Sequence, residues 1–380
     1  MKQSGLMKVR TMAPVTRRGF NLGALAAASS AALGAGFGAG SARAASEVVF
    51  LGWQGYDEAL FIGGFMEQEG IELATTYIGN NDEIVTKLRA GGIGTVDIVT
   101  PYMGYVPLLA GTGLVAPIDT SMVPNLADVM PLFKDDKNLN LDGKLYGVPF
   151  TWGSAPMMYN PAAVPETPGS WNDLFNAEFE GKVGMMDDPL GNIMLAARIV
   201  TDAESATSLT HDQLRECVDY MIKLKEKQIR MVAVSWGELS DALSRGDVVV
   251  TFSGWEAIKK FAADAGAVVE YTFPQEGTFA WLDSYCVATD APNWEADHKL
   301  CNQIISVDAQ VKIGTEFVQG IVNTKAVEAL DPASRALYPY DDPAGFAEKA
   351  TFYAFPPLEE DGVHATFDDW VTEWDRFKAS

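Results

Sequence analysis

The chain has 380 residues, with 28 basic and 51 acidic side chains and a formal charge of −23. That balance excludes nucleic acid as a partner, because phosphates need Lys and Arg, and argues against anionic membrane surfaces. It suits a cationic ligand, and it equally suits solubility alone.

The first 44 residues carry six basic side chains (Lys2, Lys8, Arg10, Arg17, Arg18, Arg43) and no acidic one, so the remainder is more acidic still. Thr16-Arg17-Arg18-Gly19-Phe20-Asn21-Leu22 resembles a twin-arginine export signal. An Ala- and Gly-rich apolar run follows to Gly40, and Ala42-Arg43-Ala44 places small residues where a signal peptidase reads. The alternative is a membrane anchor. A span wants about 20 strongly apolar residues, and Ala and Gly give this run little drive into lipid. The expectation is a leader over 1–44, cleaved near Ala44, and a mature chain of 45–380 in the periplasm. No Cys lies near the cleavage site, so no lipid anchor is expected.

The mature length exceeds a usual single domain, so two lobes are expected. Glu47–Leu51 is a short apolar run closed by Gly52 and reads as a first strand. Glu58–Glu69 has helical spacing and stops at Gly70. Ile71–Tyr77 reads as a strand, Asn81–Arg89 as a helix, and Val96–Thr100 as a strand stopped by Pro101. Strand, helix, strand, helix, strand implies right-handed crossovers and a parallel sheet. Later strands are predicted at Lys182–Met186, Val248–Phe252 and Val268–Phe273, with a short strand-like run at Ser284–Ala288. Later helices are predicted at Ile193–Thr201, His211–Glu226, Glu238–Ser244, Trp255–Ala265, Trp294–Val318 and Asp368–Phe377.

Signs of catalysis are few. Cys217, Cys286 and Cys301 fit no zinc or iron–sulfur spacing and read as buried thiols; a Cys286–Cys301 pair is left open. His211, His298 and His364 share no metal-ligand spacing and read as surface residues. There is no G-x-S-x-G nucleophile elbow, and Gly91-Gly-Ile-Gly94 precedes a strand instead of following one, so it is no phosphate loop. No cofactor, metal or catalytic residue is expected. An exported cofactor-dependent enzyme stays open, because the twin-arginine route carries folded proteins.

The candidate chemistry is a set of aromatics beside carboxylates, mostly just beyond strands. Trp53 and Tyr56 follow the first strand, and Tyr102 and Tyr105 the third. Trp152-Gly153 sits where the chain is expected to cross between lobes. Asp187-Asp188, Phe252 with Trp255, and Trp281-Leu-Asp283 complete the set. In open α/β sheets ligands sit beyond the carboxyl ends of strands. Aromatic faces attract ammonium groups, and a carboxylate fixes them by a charge-assisted hydrogen bond. Against this, a lone Trp or Tyr is commonly core, and Asp-Asp-Pro is also a turn start.

Taken in order, several segments resemble the periplasmic spermidine/putrescine-binding proteins of ABC importers. They are Trp53-Gln-Gly-Tyr56, Val96-Asp-Ile-Val-Thr-Pro101, Tyr146-Gly-Val-Pro-Phe-Thr-Trp-Gly153, Ser170-Trp-Asn-Asp-Leu-Phe175 with Glu178-Phe-Glu-Gly181, Met185-Met-Asp-Asp188 and Trp281-Leu-Asp-Ser284. The resemblance implies an α/β periplasmic-binding-protein clamshell, each lobe a mostly parallel sheet flanked by helices. Lobe 1 would take 45–151 plus about 283–326, and lobe 2 would take 152–282 plus about 327–380. It implies a monomeric receptor that captures a small amine between the lobes and delivers it to permease subunits in the inner membrane. Trp53, Tyr56 and Trp281 match cleft aromatics, and Asp188 and Asp283 match amine-binding carboxylates. Phe252 stands where a Trp is usual. Gly191 replaces a second amine-binding Glu, Gly104 and Ile321 replace cleft tyrosines, and a C-terminal Gln has no clear counterpart. Fewer carboxylates disfavour a long triamine, since a buried unpaired charge is expensive. Putrescine, another small amine or an amino-acid-like ligand all stay open.

Overall fold

The computed structural model describes residues 46–380. The leader expected over 1–44 lies outside the described residues. Strand β1 (Ser46–Gly52) pairs in parallel with β2 (Ile71–Tyr77) and β3 (Ile98–Val99). Near-continuous apolar side chains let β1 bury both faces, as parallel strands must. After β4 (Val115–Ala116) and a hairpin of β5 (Asn140–Leu141) and β6 (Lys144–Leu145) comes β7 (Val148–Ser154). Strand β8 (Met157–Tyr159) then enters a second sheet with β9 (Val183–Met186), β10 (Ile229–Ala233), β11 (Val250–Phe252) and β12 (Glu270–Thr272). The long β13 (Thr278–Ala288) returns to the first sheet, joined by β14 (Gly320–Ile321) and β15 (Ala350–Phe352).

The first sheet runs β14-β7-β13-β3-β1-β2, with β15 and β4 also on β13. The second runs β10-β9-β11-β8-β12. The chain crosses between them at Ala155-Pro156 and again at 273–277. Each sheet has its own core, one around Phe50, Phe133, Phe150 and Tyr285, the other around Trp171, Phe252, Trp370 and Phe377.

Capping explains where the helices of the second lobe begin. Thr210 and Gln213 form a reciprocal capping box at His211–Lys227, and Thr366 and Asp369 form another at Phe367–Ala379. The structure also departs from several expectations. The predicted helix Glu58–Glu69 breaks at Gly63-Gly64, both at positive φ. The predicted helix Trp294–Val318 is two helices, Trp294–Ile304 and Val307–Thr315, because the Ser306 side chain accepts from the Ala309 N–H and starts a new one. The segment after residue 327 divides between the lobes. Leu337, Tyr338, Tyr340 and Phe346 pack into the first core, whereas Trp370, Trp374 and Phe377 pack into the second. His298 is not a surface residue: it is fully buried, its Nε2 accepts from the Asp119 N–H and its Nδ1 meets the Trp294 carbonyl. All three cysteines are free and buried. Among the described residues no helix is long and apolar enough to cross a membrane.

Candidate functional site

Asp283 is the centre of the site. It lies inside β13, which begins at Thr278, and not just before a strand starting at Ser284 as expected. Side chains along a strand alternate between faces, so Phe279, Trp281 and Asp283 project on one side. All three line a cavity of about 390 Å³ between the two sheets. The pairing of β13 with β7 shifts register between Asp283 and Ser284, skipping Phe150 on the facing strand. Such irregularities re-aim side chains at functional positions.

The Asp283 carboxylate accepts a short hydrogen bond from the Tyr56 hydroxyl. Asp283 is only 7 % exposed, and burial pushes its pKa up to about 7, with the Tyr56 bond partly opposing the rise. Tyr56 is in turn fixed edge-on against Phe150, with ring centroids 4.8 Å apart. Tyr102 closes the same wall, its hydroxyl donating to the Tyr353 carbonyl at 2.6 Å. Its ring lies where a side chain at 104 would start: a Cβ on Gly104 would sit 2.5 Å from it. Tyr102 lines the cavity. Trp53 follows β1, its N–H donating to Thr100 Oγ1 at 3.2 Å. Trp281 rests on bare backbone, since a Cβ on Gly153 would come within 2.4 Å of its ring.

The opposite wall comes from the second sheet and its helices. Asp188 precedes the helix Pro189–Val200, whose Leu190, Gly191 and Met194 face the cavity. The Asp188 side chain makes no capping hydrogen bond to its helix and lines the cavity. A Cβ on Gly191 would stand 2.4 Å from Asp188 Oδ2 and 2.8 Å from the Phe279 ring. Burial raises the Asp188 pKa, and the nearby backbone N–H groups of Gly191 and Leu190 oppose the rise. Trp236 and Trp255 complete the wall with ring centroids 6.0 Å apart. Trp255 Nε1 donates to the Tyr338 hydroxyl at 3.1 Å, which ties this wall to the other lobe.

Seven of the expected residues therefore meet at one cavity: Trp53, Tyr56, Tyr102, Asp188, Trp255, Trp281 and Asp283. Three do not. Tyr105 is buried, donating to Asp82 at 3.0 Å and packing on Phe355. Trp152 is buried on β7 between β14 and β13, its Nε1 donating to the Ile321 carbonyl at 2.8 Å. Phe252 ends β11 but turns into the second core against Trp171. Ile321 is fully buried as well.

Leu190, Met194, Trp236, Phe279 and Gln319 line the cavity but were not among the expected residues. Phe279 is two residues before Trp281 on one strand face. Leu190 and Met194 are one helical turn apart. Trp236 follows β10, a strand the sequence reading did not contain. Gln319 Oε1 accepts from Thr151 Oγ1 at 2.8 Å, leaving its amide nitrogen as a neutral donor.

Near the first crossing, Glu256 is fully buried and accepts from both the Ser154 N–H and hydroxyl. Burial pushes its pKa up to about 7. It pins the start of the helix Ala257–Asp264, next to Trp255, to the end of β7.

Residues 62–335 match the family of bacterial extracellular solute-binding proteins. The chain belongs to this family. The spermidine/putrescine-binding periplasmic protein of Escherichia coli is 25% identical over 313 residues, covering 81% of this chain and 87% of that protein. The putrescine/cadaverine-binding protein of Pseudomonas aeruginosa is 21% identical over 342 residues, covering 85% and 91%. A crystal structure of a spermidine/putrescine ABC transporter substrate-binding protein from Streptococcus pneumoniae matches with a TM-score of 0.71 at 18% identity, covering 88% of this chain and 99% of the other. The two-lobed α/β fold of that class is the fold found here.

Proposed function

We propose that this solute-binding protein is the periplasmic receptor of an ABC importer for a small organic amine. One observation carries the reading: a buried carboxylate, Asp283, is held by Tyr56 in an aromatic-lined cavity that, among the described residues, no Lys, Arg or His lines. An ammonium entering the cavity meets that carboxylate and several ring faces together. Charge-assisted hydrogen bonding and cation–π attraction then act in one desolvated place. Closure of the lobes on the ligand shifts the open–closed population by the difference in affinity between the two states. The closed form would dock on a membrane permease served by a cytoplasmic ATPase. Export by the twin-arginine route, cleavage near Ala44 and monomeric action belong to the same reading. The names of the relatives, which bind putrescine, cadaverine and spermidine, support an amine ligand. Calorimetric titration with putrescine, n-butylamine and 2-phenylethylamine tests it: heat with at least one amine is expected, and silence with all three would overturn the reading.

A further inference from the structure

Gln319 reaches the cavity from a strained stretch of backbone. Val318, the residue before it, has a φ of 56°, a left-handed conformation that β-branched residues rarely adopt. Three hydrogen bonds hold the segment there. The Tyr338 hydroxyl donates to the Val318 carbonyl at 3.0 Å, the Gln319 N–H donates to the Ile313 carbonyl at 3.3 Å, and Gln319 Oε1 accepts from Thr151 Oγ1 at 2.8 Å. Strain that the surroundings over-determine in this way collects at ligand clamps. Gln319 lines the cavity, and among the described residues nothing accepts from its Nε2.

A second neutral donor lies across the next strand. β7 runs between β14 and β13. Gln319 precedes β14, and Trp281 of β13 lays its indole over Gly153 of β7, where a Cβ would stand 2.9 Å from Nε1. Among the described residues nothing accepts from Trp281 Nε1 either, whereas Trp152, Trp171 and Trp255 each donate to a protein oxygen. Thr151, which holds the Gln319 amide, is the cross-strand partner of Asp283, and such partners stand about 5 Å apart. The two donors are therefore neighbours of the charge anchor on one sheet.

We infer that the ligand is an amine that also carries a neutral oxygen, a hydroxyl or an amide carbonyl, which Gln319 Nε2 and Trp281 Nε1 read while Asp283 holds the ammonium. This rests on the amine reading above and deepens it. Such an oxygen has two lone pairs, one for each donor. An alkyl group in its place would leave both N–H groups desolvated and unpaired, which costs more than a hydrogen bond returns. A carboxylate there would lack a counter-charge, since among the described residues no Lys, Arg or His lines the cavity.

Isosteric pairs titrated calorimetrically into the mature protein test this: 3-aminopropan-1-ol against n-butylamine, 4-aminobutan-1-ol against n-pentylamine, and 3-aminopropanamide against 3-methylbutylamine. Each pair exchanges only the oxygen-bearing group for its apolar counterpart. At least one oxygen-bearing amine is expected to bind about threefold or more tighter than its counterpart. Gln319→Leu is expected to cut that ratio at least threefold. Because the ratio is taken within one protein, a general loss of affinity in the variant cancels, and Gln319→Met replaces the leucine variant should that one not fold. A ratio under threefold in every pair would overturn the inference and leave the amine reading intact, as would a ratio that the variant does not cut threefold. Silence with all six compounds while putrescine binds would likewise overturn the inference alone; silence with putrescine as well would remove the amine reading and the inference together.

Discussion

The two walls of the cleft are made of different chemistry. The first-sheet wall carries Asp283, Tyr56 and Tyr102, a buried acid with hydroxyls around it. The second-lobe wall carries Leu190, Met194, Trp236 and Trp255, with one acid, Asp188, which has no capping hydrogen bond to its helix. The difference separates two jobs that a small-ligand site must do. One wall fixes the charge, and the other supplies area without fixing position. Charge placement needs a rigid frame, and β13, held by both β7 and β3, provides one.

Removing the charged wall should have the largest effect. Asp283→Asn keeps the shape but loses the charge, and truncating one partner of a buried charge pair costs roughly 2–5 kcal/mol. Amine affinity by calorimetry should fall at least about thirtyfold; a fall under threefold would show that the anchor lies elsewhere. Thinning the apolar wall comes next. Trp255→Ala should weaken 2-phenylethylamine about tenfold and also free Tyr338, whereas n-butylamine should lose less. Equal losses would mean that Trp255 acts through the lobe contact and not through the ligand.

Buried acids also make the protein respond to pH. Asp283 has its pKa raised from 3.8 to about 7 in the folded, empty protein, and Glu256 from 4.5 to about 7. Both hold protons in the native state that the unfolded chain has already released. Their stabilising contribution is therefore complete below about pH 4 and is lost as pH rises through about 7. The melting temperature without ligand should fall between pH 5 and 8. An ammonium needs the ionised Asp283, so amine affinity should rise by up to about tenfold per pH unit towards pH 7 and level off above it. Asp283→Asn should flatten that profile; an unchanged slope would assign the titration to another group.

The smallest expected effect lies outside the cleft. Asp297 is fully buried under the first sheet, neither of its carboxyl oxygens has a hydrogen-bond partner, and burial raises its pKa to about 8 with Asp97 adding to the rise. Asp297→Asn should raise the melting temperature at pH 9 by about 3 °C and leave ligand affinity alone. Scanning calorimetry would show it, and a lower melting temperature would mean that the charge is tolerated where it stands.

What was legible in the sequence follows from how local the signal is. β1, β2, β9 and β11 are apolar runs closed by Gly, Asp or Ser, and their positions were read within a few residues. β13 was read only in its second half, since Thr-Phe-Ala-Trp-Leu-Asp has neither strict alternation nor a stop. That half-reading placed Trp281 and Asp283 just before a strand when they lie within it. The rule of aromatics after strands found Trp53 and Trp255 but also took Phe252, because it cannot say which way the last strand residue points. Trp152 failed for a different reason: it lies at the crossing, where burial in the first core outweighs nearness to the cleft. The close approach of Asp188 and Phe279 to residue 191 was not legible at all, since it depends on the absent Cβ of Gly191 and on a ring from β13.

The central claim is that Asp283 fixes the charge while the other lobe supplies apolar contact. A crystal structure of the mature protein with 2-phenylethylamine tests it most directly. The account predicts the amine nitrogen within about 3.2 Å of the Asp283 carboxylate, with the ring against Trp255 and Trp281. An amine nitrogen bound instead to Asp188 would contradict it.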